Sequence, residues 1–69
     1  MTIANQIKSY RTKEQLSQTQ FANLIGATQG LINHWESGRQ QPSARMAITI
    51  EKATQGAINR TNIRPDLFN

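Results

Sequence analysis

The stretch "SQTQFANLIGATQGLINHWESG", Ser17 to Gly38, decides how this chain is read. Phe21, Leu24, Ile25, Leu31, Ile32 and Trp35 require that part of it be buried. Yet no Lys, Arg, Asp or Glu occurs from Gln15 through Trp35, in a chain that carries eight Lys and Arg residues. A basic chain with an uncharged, amide-rich centre has separated two tasks, and the pattern around that centre indicates which.

Within the stretch, Ser17 is placed to restart a helix, its hydroxyl accepting from a free N–H of the first turn. Phe21, Ala22, Leu24 and Ile25 form the expected apolar side. Gly26 is the stop, because glycine tolerates the left-handed conformation that a helix end favours. Thr28 then caps a second short helix whose buried residues are Ile32 and Trp35, and Gly38 ends it. Two short helices joined by a tight glycine turn are the organisation of a helix-turn-helix. Ala22 lets the two helices cross closely, while Ile32 and Trp35 pin the second to the core. Its opposite face is left with Gln29, Gly30, Asn33 and His34, and Leu31 lies beside them.

Outward from this centre the chain again reads as helix. Ile3, Ile7 and Tyr10 follow i, i+4, i+7 spacing on one face of an N-terminal helix, with Thr2 as its cap. After the polar link "GRQQPS", Ser43 caps a further helix with Met46, Ala47, Ile50 and Ala53 on its apolar side, and "TQG" closes it at Gly56. In the tail, Asn59 caps a short turn through Arg64, and Pro65 prevents its continuation. "GAI" at 56–58 is the one place where a short extended piece is expected. The expectation is an all-α single domain over residues 1–69, a compact four- to five-helix bundle, with the conformation of the tail at 57–69 left open.

Sixty-nine residues bury only about 60% of the unfolded surface. With no cysteine, disulfides and thiolate metal sites are excluded. One histidine and four scattered acidic residues leave no metal site, no nucleophile with its base and no paired carboxylates. Catalytic residues, metal and cofactor are therefore all expected to be absent, as is a small-molecule substrate. No apolar run approaches the roughly 18 residues of a membrane span, and a cytoplasmic protein is expected. The net charge of +4 points to a polyanion as partner.

The distribution of that charge explains the uncharged centre. Base edges in the major groove are read by groups that donate and accept at once, and side-chain amides do this on adenine. Phosphates are held by charge, which can sit outside the reading face: Lys8, Arg11 and Lys13 precede the stretch, and Arg39 and Arg45 follow it. Phosphate contacts position, and base contacts specify.

"LSQTQFANLIGATQGLINHWESG" resembles the Cro/CI-type helix-turn-helix of lambdoid phage repressors, and "TQGAINRTNIRPDLF" resembles the tail of YdaS-type, Cro-like prophage regulators. The resemblance implies a lambda-repressor-like DNA-binding domain acting as a transcriptional repressor in the bacterial cytoplasm, at the nucleoid. Its partners would be double-stranded operator DNA and a second copy of the chain, at least on DNA. It implies that Gln29 leads base contact, with Gly30, Leu31, Asn33 and His34 at or beside the groove. Arg11, Gln18, Thr28, Arg39, Gln40 and Arg45 are the residues expected to meet the DNA backbone. Ala22, Gly26, Ile32, Trp35 and Glu36 would be structural support, Glu36 pairing with Arg11. Gly30 stands where relatives carry alanine or a polar side chain. The other function class is a YdaS-like antitoxin or protein-interaction module, for which "DLFN" at 66–69 offers the only apolar or acidic surface.

Overall fold

The computed structural model describes residues 3–68. Five helices follow one another in the order α1 (Ile3–Lys13), α2 (Gln18–Ile25), α3 (Gln29–Glu36), α4 (Ala44–Ala53) and α5 (Arg60–Ile63), and no strand occurs among the described residues. The all-α expectation holds. Thr2, expected to cap the first helix, lies outside the described residues.

The starts of α2 to α5 are side-chain caps. Ser17 accepts from the N–H of Gln20, whose side chain returns a bond to the Ser17 N–H, so α2 opens with a complete capping box. Thr28 accepts from Leu31, Ser43 from Met46 and Asn59 from Thr61. The stops are equally local. Gly26 takes the left-handed conformation at φ 71°, and Ala27 donates back to the carbonyl of Ala22. At the end of α3, Ser37 is the cap and Gly38 follows it at φ 79°, with Arg39 donating to His34.

The core is one cluster to which every helix contributes. Ile7 comes from α1, Phe21, Ala22 and Ile25 from α2, Ile32 and Trp35 from α3, Ala47 and Ile50 from α4, and Ile63 from α5; Ile58 joins them from the link before α5. Tyr10 meets Phe21 edge-on, ring centroids 6.0 Å apart, which ties α1 to the helix-turn-helix. Ala22 is 1% exposed within this cluster, so there is no room there for a larger side chain.

Three expectations need correction. Leu24, placed on the apolar side of α2, is 51% exposed. Phe21, Ala22 and Ile25 define the buried arc, and at 100° per residue Leu24 falls on its flank, where no element covers it. The fourth helix does not run to Gly56: it ends at Ala53, with Thr54 as its cap. Gln55 and Gly56 both take positive φ, 54° and 85°, so the reversal begins one residue before the glycine. No extended piece forms at "GAI". Instead the N–H of Ile58 donates to the Thr54 hydroxyl, which itself donates to the carbonyl of Ile50. The tail, whose conformation the sequence left open, is in its described part integral to the bundle: Ile58 and Ile63 are each 2% exposed, and Phe68 packs against the core. Glu51 binds both the backbone N–H and the guanidinium of Arg60, and that guanidinium lies 5.7 Å from the centre of the Phe68 ring.

Candidate functional site

The turn Gly26–Thr28 sets α3 against α2 with Ile32 and Trp35 inward. What remains outward on α3 is Gln29, Gly30 and Asn33, all exposed, flanked by the half-buried Leu31 and His34. The face is uncharged along its length. Gly30 has open space around it: an added Cβ would meet only the Thr28 hydroxyl, at 3.9 Å. Its φ lies outside the left-handed range, so neither crowding nor backbone conformation requires glycine there.

Four of the residues singled out in the sequence are linked into one chain of hydrogen bonds. Arg11 grips Glu36 with Nε and Nη2 at 2.6 and 2.8 Å, and its Nη1 donates to the carbonyl of Leu16 at 2.9 Å. Glu36 Oε1 also accepts from the Gln18 amide at 3.3 Å, and Gln18 Oε1 accepts from the Gln29 amide at 2.5 Å. The chain runs from α1 through α3 and α2 and returns to the first residue of α3. The Arg11–Glu36 pair is shielded, with side chains 15% and 8% exposed. Burial alone would raise the Glu36 carboxyl. The bonds from Arg11 and Gln18, with the charges of Arg11 and Lys8, outweigh it and hold the carboxyl below its ordinary value. The same pairing raises Arg11, against a smaller opposing effect of burial.

This arrangement fixes the orientation of Gln29. A side-chain amide has two donor hydrogens and an acceptor oxygen. One hydrogen is used on Gln18, which leaves Gln29 a donor and an acceptor side by side, the pair needed to address the N7 and N6 edge of an adenine. Gln18 likewise keeps one amide hydrogen for an outside acceptor. Arg11 has three of its five N–H groups engaged within the protein. A second link joins the end of α3 to the following loop: the His34 ring nitrogen Nδ1 lies 3.3 Å from Gln40 Oε1. Arg39, Gln40 and Arg45 are exposed, the first two in that loop and the third in the first turn of α4.

Sequence reading anticipated the Arg11–Glu36 pair through a family resemblance. It missed that Gln18 bridges that pair to Gln29. The signal was present in the spacing, since Gln18 opens α2 and Gln29 opens α3 on either side of one turn. Among the described residues, no group of three or more His, Cys, Asp or Glu is placed to hold a metal ion, and no helix is long and apolar enough to cross a membrane.

Comparison with known proteins gives a consistent set of relatives. The family described as bacterial toxin YdaS matches residues 13–69. A prophage transcriptional regulatory protein of Escherichia coli K12 is 35% identical over 57 residues, which is 83% of this chain and 83% of that protein. Repressor protein C of Escherichia phage P2 is 35% identical over 54 residues, 78% of this chain but 54% of its own length. This chain therefore spans about half of the phage protein. No solved structure matches.

Proposed function

Because this chain belongs to the YdaS family, whose relatives are named as prophage and phage regulators, we propose that it is a sequence-specific DNA-binding transcriptional repressor. It binds operator DNA with α3 in the major groove. Residues 1–69 act as one DNA-binding domain, as a dimer on a pseudo-palindrome in the manner of Cro, in the cytoplasm of a bacterial host. One recognition helix covers only a few base pairs, so a pair of copies doubles the contacts and sets half-sites about one DNA turn apart. Repression follows from occupying promoter sequence and needs no catalysis, cofactor or small molecule.

The observation that carries this reading is the hydrogen-bond chain that holds the Gln29 amide at the start of an uncharged, exposed helix face. Gln29 leads base readout, with Gly30, Leu31, Asn33 and His34 at or near the bases. Gln18, Thr28, Arg39, Gln40 and Arg45 meet phosphates, and Arg11 holds Glu36 while offering its remaining N–H groups to the backbone. Selection of bound duplexes from a random pool tests the proposal. It should return two related half-sites with an adenine at a fixed position in each; a pool that never enriches would sink the reading.

The family's description as a toxin supports a second reading, a protein-interaction module of the toxin–antitoxin kind. Its surface would lie in the tail. There, Asp66 is engaged by Arg64 and Phe68 is packed on the core, so Leu67, 50% exposed, is the apolar residue left to offer among those described. That is a small surface for a protein partner, and the DNA reading stands ahead of it.

A further inference from the structure

The tail holds a cluster that DNA reading as described above leaves unused. Arg64 follows α5 with a side chain only 19% exposed. Its Nε and Nη2 grip the two oxygens of Asp66 at 3.0 and 2.8 Å. Its Nη1 donates to the carbonyl of Pro42 at 2.9 Å, 22 positions back along the chain. Pro42 is fully buried and immediately precedes Ser43, the cap of α4.

The segment between α3 and α4 is therefore tied at both ends. At its front, the N–H groups of Arg39 and Gln40 both point to the carbonyl of His34, at 3.0 and 3.4 Å. At its back, Arg64 holds Pro42. Between the two ties lie Arg39, Gln40 and Gln41, all exposed.

We infer that Arg64 is a positioning residue for DNA binding: braced by Asp66, it clamps the α3–α4 loop so that Arg39 and Gln40 meet phosphates in a fixed geometry. The inference rests on the reading of that loop as a backbone-contacting segment. A loop ordered before binding loses less conformational freedom on binding, and affinity gains by that difference. The fork shape of the guanidinium is what permits the double grip. A lysine ammonium is a point charge and cannot hold a carboxylate and a carbonyl in one plane. Three N–H groups of Arg64 are spent inside the protein, and the one on Pro42 reaches the loop itself, so the role assigned to Arg64 is exerted through the loop.

The test uses the full chain with Arg64→Lys, Arg64→Ala and Asp66→Asn, beside Arg39→Ala as reference. Backbone nitrogen-15 order parameters at Arg39, Gln40 and Gln41 are measured without DNA. Affinity for the duplex recovered by selection is measured across a salt series. The clamp requires all three tail variants to lower those order parameters, from about 0.85 toward about 0.6. Affinity should fall about three- to tenfold, the range for immobilising one further side chain on binding, with the salt slope unchanged. Arg39→Ala, by contrast, should lower the slope by about 1. Unchanged order parameters in Arg64→Lys and Asp66→Asn overturn the inference, as does full affinity in Arg64→Lys, which would mark Arg64 as a plain phosphate contact. Should Arg64→Ala fail to fold, the other two variants decide. If the unaltered chain selects no DNA, the DNA reading and the positioning role fall together, whereas selection by the unaltered chain with a loop indifferent to Arg64 removes the positioning role alone.

Discussion

Removing the Glu36 carboxylate should cost this small domain a large part of its stability. Glu36 accepts three bonds, at 2.6 and 2.8 Å from Arg11 and 3.3 Å from Gln18. In Glu36→Ala the guanidinium of Arg11, 15% exposed, keeps only its bond to the Leu16 carbonyl. Breaking a fully buried pair costs about 3–5 kcal/mol, and a hydrogen bond to a charged group is worth about 1.5–3 kcal/mol. A shielded pair that keeps some contact with water should fall near the lower figures, at about 2–3 kcal/mol. For a domain of this size that corresponds to a fall in Tm of about 10–20 °C. Replacing both residues, as in Arg11→Met with Glu36→Ala, should cost about 1 kcal/mol, because no charge is stranded. Thermal unfolding followed by circular dichroism on the four members of the cycle gives the coupling. A coupling within about 0.3 kcal/mol of zero would refute the reasoning, since sites that do not interact add to that accuracy. The pH dependence supplies an independent check. Folding holds the Glu36 carboxyl below its ordinary value near 4.5. Its stabilisation is therefore complete above that value and is lost as pH falls through the lower, folded one. Glu36→Gln should flatten the acid limb of the stability profile, and an unchanged limb would assign acid unfolding to other carboxylates.

Other outcomes follow from single positions. Gln29→Ala should cost about 1–3 kcal/mol on the preferred operator and little on duplexes altered at its base pair, as read by competition binding; a uniform loss across sequences would make Gln29 a phosphate contact. Gly30→Ala should stabilise the fold by about 0.5–1 kcal/mol in thermal melts, since the site is open and alanine is the better helix former. If DNA binding falls in that same variant, the glycine serves close approach of backbone to DNA. Leu24→Gln should leave stability within about 0.5 kcal/mol, because Leu24 is 51% exposed, whereas Ala22→Leu should cost about 1–3 kcal/mol by overpacking. Affinity for DNA should fall with salt at a slope of about −4 to −5 per subunit, and a nearly flat response would favour a protein partner.

Local chemistry was the legible part of the sequence. Ser17, Thr28, Ser43 and Asn59 announced the helix starts because a cap is set by a residue and its neighbours two or three positions on. Gly26 and Gly38 announced stops for the same reason. Leu24 misled because hydrophobicity was read without a partner to bury it, and burial is a property of the assembled bundle. Gln55 was invisible as a reversal point, since glutamine carries no preference for positive φ and takes it only because Gly56 and the Thr54 hydroxyl secure the turn around it. The tail resisted for a third reason. Its order comes from contacts between distant positions, Arg60 with Glu51 and Arg64 with Pro42, which no periodicity encodes. In the candidate site the residue types were evident, while the bridge made by Gln18 depends on how α2 and α3 meet.

The caps have a consequence for how this molecule responds to its medium. Ser17, Thr28, Ser43 and Asn59 hold their helix starts with neutral oxygens, and none of the five helices has an acidic residue in its first turn. Capping by carboxylates would be screened by salt and lost on protonation; capping by hydroxyls and an amide is subject to neither. Ionic strength therefore reaches the exposed cations far more strongly than it reaches the helix ends. In the DNA complex proposed above, the frame that presents α3 should keep its shape over the salt range in which phosphate contacts dissolve, so that a salt titration of binding counts the ions released from DNA rather than the fraying of the protein.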